Sequence, residues 1–286
     1  MWTRRNPRPA PLEAGRDDGL PARGVSAHRG GARCRPENTL AAFRHAVALG
    51  VHQIEFDVRG TADGEIVVIH DATLDRTTDG AGKVCDRTLA ELRRLDAAQG
   101  WRPEFAGEPI PTLDEALAVL PSDVWVNVQI KRGEPIARKV AERVVAAGRL
   151  DQAFLSCGNQ DARVARAVNP RLRVCNLARQ RTRAAYVDHA ISTGAHFIQF
   201  HHLRGPLEPE LADRAHAAGV RVNYFCAEEP TPAELEALFA AGVDFVLVDD
   251  VEQGIATAKR LGIAPLERPN DAPPLRDVPE PVVGSA

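Results

Sequence analysis

The sequence predicts an α/β protein, a closed (β/α)8 barrel of the TIM type with a small insertion after its second strand. Three observations lead there. From Val124 onward, short apolar runs alternate regularly with segments of helical period, the pattern of βαβ units and a parallel sheet. Many of the helical segments close on glycine, at Gly148, Gly194, Gly219, Gly242 and Gly262, where a left-handed residue ends a helix cheaply. The chain has 286 residues, which suits one barrel of about 250 residues with short extensions. Six strands after Val124 and two before it make eight, which favours a closed barrel over an open sheet. The Gly-rich segment after the first strand, HRGGARC, does not fit a dinucleotide fingerprint.

Met1–Gly24 is rich in Arg, Pro, Gly and Asp without periodicity and reads as a disordered or loosely attached leader (1–24) ahead of the barrel domain (25–264). Val25–His28 is the first strand. Asn38 precedes the apolar spacing Leu40, Phe43, Val47 and is the expected N-cap of a helix to Leu49, closed by Gly50. Gln53–Val58 is the second strand. The Asp63-Gly64 turn then returns the chain as a hairpin through Ile66–Ile69 to His70.

Residues 72–120 do not read as a strand–helix unit and form the insertion. Its last piece is a helix from Leu113 to Leu120 capped by Thr112. Strands follow at Val124–Ile130, Ala153–Cys157, Arg173–Leu177, His196–Phe200, Arg221–Phe225 and Phe245–Val248. Helical patterns lie between them, among others at Pro135–Ala147, Arg181–Thr193, Glu208–Ala218, Pro232–Ala241 and Val251–Leu261. The Pro-rich tail, 265–286, is expected to be disordered.

Composition excludes several function classes. A net charge of −3 gives no basis for binding nucleic acid or an anionic membrane surface. Five cysteines without tight spacing fit neither a disulfide framework nor a zinc motif. Cys157, Cys175 and Cys226 lie in apolar runs and read as core residues, whereas Cys34 lies in the loop after the first strand. No apolar run approaches transmembrane length and no signal-peptide pattern opens the chain, so the expected location is cytoplasmic.

The chemistry concentrates between Val25 and Asp71. Glu55 and Asp57 are two apart on one strand and share a face. Adjacent carboxylates repel, and one takes up a proton unless a cation holds both ionised. A hard divalent metal with oxygen ligands is the simplest candidate. The hairpin brings His70 back beside Asp57, and His28 and Arg29 end a neighbouring strand. Two imidazoles, two carboxylates and a guanidinium at one end of a sheet suit phosphoester chemistry. The metal and Arg29 would hold phosphoryl oxygens, and one histidine would give a proton while the other takes one.

Six short motifs, HRGG (28–31), PENT (36–39), EFDV (55–58), the Asp63-Gly64 turn, HD (70–71) and TTDG (77–80), resemble in order and spacing the glycerophosphodiester phosphodiesterases, a family of PI-phospholipase C-like phosphodiesterase barrels. The resemblance implies metal-dependent hydrolysis of a small-molecule glycerophosphodiester to glycerol 3-phosphate and an alcohol. It makes His28 and His70 the acid–base pair and Arg29 a phosphate ligand. Glu55 and Asp57 become ligands of magnesium or calcium, and Glu37 a polar support in the substrate site. It also places the insertion beside the substrate entrance, with Trp101 and Phe105 against the pocket.

Three positions depart from the family pattern, at Gln129, at Phe225 and at Val248, where the family often has Thr. Where it resembles N-[IV]-E-[IL]-K, this chain reads Asn127-Val128-Gln129-Ile130-Lys131. Gln129 offers an amide oxygen to the metal but no charge, and Lys131 is placed to hold the phosphate or the leaving oxygen. Phe225 stands where the family usually has Trp and keeps an aromatic wall. Asp249 is retained after Val248, and His201 and His202 close a strand near the pocket. Two other readings keep the barrel: a lysophospholipase D-like enzyme on lipid phosphodiesters, and a catalytically weakened barrel that binds phosphodiesters without turning them over.

Overall fold

A computed structural model describes residues 19–131, 135–201, 207–226 and 228–268. In chain order its strands and helices are β1 (Gly24–Ala27), α1 (Leu40–Ala48), β2 (Gln53–Gly60), β3 (Ile66–Val68), α2 (Leu89–Leu92), α3 (Leu113–Val119), β4 (Trp125–Ile130), α4 (Ala137–Ala146), β5 (Ala153–Cys157), α5 (Asn159–Val168), β6 (Arg173–Asn176), α6 (Arg183–Ser192), β7 (Phe197–His201), α7 (Pro209–Ala217), β8 (Arg221–Phe225), α8 (Pro232–Ala240), β9 (Phe245–Val248) and α9 (Val251–Arg260). All strands except β3 are parallel to their neighbours. Because β1 pairs with both β2 and β9, the eight parallel strands close on themselves. This is the expected eight-stranded barrel. β3 pairs antiparallel with the far half of β2, Val58 opposite Val68, so the hairpin extends β2 above the rim.

Alternation along the strands separates two cores. Outward residues such as Val25, Ile54, Phe56, Val126, Val128, Ile198 and Val246 are fully buried under the helices. Inward residues at the amino-terminal end form an aromatic plug of Trp125, Phe154, Phe197 and Phe245 around Cys175. Phe154 and Phe197 stack with centroids 3.9 Å apart, and Trp125 meets Phe197 edge-on at 5.3 Å. Each fully buried ring contributes roughly 1.5–3 kcal/mol by burial. Above the plug lies a polar layer. Ser156 Oγ donates to Asn127 Oδ1 at 2.5 Å, and Asn223 Nδ2 donates to Gln53 Oε1 at 3.1 Å.

Four expectations are corrected. The part of the leader at residues 20–23 is built into the barrel floor: the Pro21 carbonyl accepts from Trp125 Nε1, the Ala22 carbonyl accepts from Arg221, and Leu20 packs on the plug. The floor exposes indole and guanidinium donors that need acceptors, and this segment supplies them. The tail also docks at its start: Leu266 donates its N–H to the Gly50 carbonyl, and Arg268 forms a two-pronged bond to Asp123. Residues 1–18 and 269–286 lie outside the described residues. The insertion is shorter than 72–120, because α3 packs between α1 and α4 as one of the helices that surround the barrel. Its amphipathic turn and Thr112 capping box make it an ordinary barrel helix. Finally, Thr39 rather than Asn38 caps α1, accepting from the Ala42 N–H at 3.2 Å. No helix among the described residues is long and apolar enough to cross a membrane.

Candidate active site

The site forms where β1, β2 and β4 end, at the carboxyl face that carries the catalytic loops of such barrels. β1 ends at Ala27, and the chain turns at once through His28–Gly30. Arg29 sits in the left-handed region at φ 51°, a strained setting for a residue with a side chain. That setting aims the Arg29 N–H at Glu55 Oε2, 3.0 Å away. The two glycines that follow are required by close approach. A Cβ on Gly30 would lie 2.8 Å from the Ala42 Cβ, and one on Gly31 would lie 2.9 Å from Val251. HRGG is therefore the sequence that presses this loop onto α1 and α9.

Glu55 and Asp57 point inward from β2, only 2% and 1% exposed. Burial and the neighbouring Asp57 push the Glu55 carboxyl up to about 7. Asp57 goes the other way. Burial works upward on it, but Lys131, Arg29 and the two histidines more than offset this and hold it below the usual carboxylate range. Lys131 Nζ lies 3.1 Å from Asp57 Oδ1, and Arg29 Nε lies 3.5 Å from Asp57 Oδ2. Asn38, itself left-handed at φ 59°, clamps Asp57 twice: its Nδ2 donates to Oδ2 at 3.1 Å, and its Oδ1 accepts the Asp57 N–H at 3.2 Å. The residue expected to cap a helix is thus spent on a carboxylate.

The hairpin delivers His70 as expected. The Ile69 N–H donates to the Asp57 carbonyl at 3.0 Å, so the next residue stands beside the acid pair. His70 Nδ1 lies 2.6 Å from Asp71 Oδ1, and His28 Nδ1 lies 2.6 Å from Asp249 Oδ1. Each imidazole thus has a carboxylate at Nδ1, which orients the ring and leaves Nε2 for other partners. Burial lowers the His70 pKa, with Asp57 and Asp71 working against it. Phe225 packs on His28 with ring centroids 4.3 Å apart. His201 closes β7 with its ring 5.1 Å from Phe225, while His202 lies outside the described residues.

Glu37 is a junction. It accepts from Arg29 at 2.8 Å and from both terminal nitrogens of Arg76 at 2.7 and 2.8 Å. Burial raises its pKa, but the two guanidiniums outweigh burial and hold it ionised. Arg76 reaches across to Asp71, its Nε 2.7 Å from Oδ2. A continuous ion-pair chain therefore runs from His70 through Asp71, Arg76, Glu37 and Arg29 to Asp57. The sequence alone assigns no role to Arg76 or Asp71, and it makes Asn38 a helix cap. The signals are present in the DRTT, HD and PENT strings; Asp71 adjoins His70, but Arg76 meets Glu37 39 residues away and Asn38 meets Asp57 19 residues away. Trp101 and Phe105 meet edge-on at 6.2 Å, and Arg35 covers the Phe105 ring at 5.4 Å. The insertion thus leans on the same loop that carries Arg29.

The donor set fits a hard divalent cation. Gln129 stands opposite Asp57 in the β2–β4 ladder, adding a neutral amide oxygen to two buried carboxylates. Glu55, pushed toward its neutral form by burial and then by Asp57, is the group such a cation would relieve.

Comparison with known proteins identifies the family. The glycerophosphoryl diester phosphodiesterase family model matches residues 28–253. A glycerophosphodiester phosphodiesterase from Caldanaerobacter subterraneus is 34% identical over 249 residues, covering 83% of this chain and 98% of its own. The crystal structure of a glycerophosphodiester phosphodiesterase from Agrobacterium tumefaciens superposes with TM-score 0.72 at 28% identity, over 82% of this chain and 99% of its own. A phosphodiesterase from Oleispira antarctica, solved in complex with the product sn-glycerol-3-phosphate, superposes with TM-score 0.73 at 27% identity, over 84% of this chain and 97% of its own.

Proposed function

The chain belongs to the glycerophosphoryl diester phosphodiesterase family, and we propose that it hydrolyses glycerophosphodiesters to glycerol 3-phosphate and an alcohol by metal-assisted acid–base catalysis through His28 and His70. The observation that carries this reading is the gathering of His28, Arg29, Glu55, Asp57, His70 and Lys131 at one rim of the barrel.

In this mechanism Arg29 and Lys131 hold the phosphoryl oxygens. Both are already drawn toward Asp57, so little reorganisation is needed to present positive charge. His70, whose burial favours the neutral ring, accepts the proton of the attacking water, or of the neighbouring glycerol hydroxyl to form a cyclic phosphate that water then opens to glycerol 3-phosphate. His28 returns a proton to the departing alkoxide, its imidazolium supported by Asp249. Glu55, Asp57 and Gln129 would hold a divalent cation, magnesium or calcium, which would supply charge neutralisation at the phosphoryl oxygens. Glu37 positions Arg29, and Phe225 walls the pocket beside His28. All five cysteines are unpaired, which supports a reducing, cytoplasmic compartment.

The test is release of glycerol 3-phosphate from glycerophosphocholine and glycerophosphoethanolamine, with magnesium or calcium and again with EDTA. Cation-dependent release supports the reading. Absence of release from the wild type, with turnover restored by Gln129→Glu, assigns this chain to the weakened phosphodiester-binding class instead.

A further inference from the structure

Behind the HRGG–PENT loop lies a second group of metal-ligating side chains that the proposed chemistry does not use. Cys34 comes from the loop, His45 from α1 and Glu252 from the first turn of α9. Their ligand atoms all lie within 4.8 Å of one another. His45 Nε2 is 3.1 Å from Glu252 Oε1, and Cys34 Sγ is 4.0 Å from Asp250 Oδ1. The loop is held to both helices independently of these side chains, with Gly30 packed on Ala42 of α1. Gly31 packs on Val251, and the Arg33 N–H donates to the Asp249 carbonyl at 3.2 Å. The ligand spacing is thus fixed by backbone packing, and closing it around an ion requires side-chain adjustment alone.

We propose that Cys34, His45 and Glu252 form a zinc site, separate from the oxygen-lined centre, which clips the HRGG–PENT loop to the start of α9. Ligand chemistry sets the two sites apart. Glu55, Asp57 and Gln129 offer oxygen only and suit magnesium or calcium. A thiolate, an imidazole and a carboxylate suit zinc, with water completing a tetrahedron. The acidic run Asp249, Asp250 and Glu252 favours a cation here, against the charge of Arg35 near His45. The clip joins the loop carrying His28 and Arg29 to the loop carrying Asp249, so zinc bound here steadies the 2.6 Å His28–Asp249 pair from behind.

The experiment is titration of the metal-free full chain with zinc, and in parallel with cobalt, under excess magnesium that occupies the oxygen centre. One equivalent of zinc is expected. Cobalt is expected to show a thiolate charge-transfer band in the near ultraviolet, which is independent of catalysis. The band should vanish in Cys34→Ser and persist in Cys85→Ser, the control for the exposed thiol. Loss of an outer-shell partner alone costs about 10–100-fold in metal affinity, so Cys34→Ser and His45→Gln should each weaken zinc binding at least about 100-fold. Glu55→Gln should leave it unchanged. No band in the wild type, a band that survives Cys34→Ser, or zinc uptake lost with Glu55→Gln rather than Cys34→Ser would each overturn the proposal.

Discussion

The two ends of the barrel bury charge in opposite ways. At the amino-terminal floor, Arg173 and Arg221 lie over the Trp125 ring at 5.3 and 5.6 Å. Their guanidiniums donate to neutral carbonyls: Arg173 to Leu150 and Asp151, Arg221 to Ala22. At the carboxyl-terminal rim, Glu55 and Asp57 are buried side by side, and Arg29 and Asn38 are held in left-handed backbone. The floor is arranged for cohesion and the rim for a reaction, so changes at the two ends should separate stability from activity.

The largest separation is expected at the rim histidines. Replacing His28 or His70 by Ala should lower kcat by about 10²–10⁴-fold, the usual worth of a positioned proton-transfer group. Thermal unfolding should shift little for His70, whose side chain is 31% exposed, and more for His28, which is buried against Phe225 and Asp249. Near wild-type turnover in either variant would remove the acid–base assignment. The mirror experiment is Phe197→Ala in the floor, where a stacked and fully buried ring is lost. It should cost about 3–5 kcal/mol of unfolding free energy in urea and leave KM unchanged for the molecules that remain folded. A floor variant that altered KM would show that the two ends are coupled.

Glu55 sharpens the comparison through pH. Its pKa rises from 4.5 to about 7 in the folded chain because of burial and Asp57. The folded state therefore holds this proton more tightly than the unfolded state. The resulting stabilisation is full below pH 4.5 and is lost as pH rises through about 7. Without divalent cation, the stability of wild type minus that of Glu55→Gln should fall by about 3 kcal/mol between pH 4.5 and 8. Cation binding should tighten over the same window and release a proton, seen by calorimetry in buffers of different ionisation enthalpy. A pH-independent difference would mean that Glu55 is not the strained group.

The smallest effect is expected at Arg76, nearly half exposed yet bonded to both Asp71 and Glu37. Arg76→Ala should reduce kcat by about ten-fold, the worth of one charge-assisted hydrogen bond discounted for solvent. It should also change the pH profile through the loosened Asp71–His70 pair, with Arg76→Lys recovering part of the loss. An unaltered profile would leave Arg76 as a surface brace.

Much of the molecule was legible before any coordinates. The barrel followed from local periods, since strand alternation and glycine-closed helices are written within each 20–40-residue unit. The core of the site followed from motif spacing: Glu55 and Asp57 two apart on a strand, and a hairpin that returns His70 to Asp57. What the sequence could not determine is partner choice across distance. Asn38 looked like a helix cap because Asn satisfies the local rule, and only the fold brought Asp57 within 3.1 Å of it. α3 looked like insertion because no separate strand precedes it, yet packing against α1 and α4 makes it a barrel helix. The segment at residues 20–23 looked loose until the floor supplied donors for its carbonyls. Arg76 meets Glu37 39 residues away, and His28 meets Asp249 221 residues away. Periodicity and turn chemistry act over a few bonds and are carried by sequence. Buried charges are paired only when closure of the barrel brings strand ends together, and that is decided by tertiary structure.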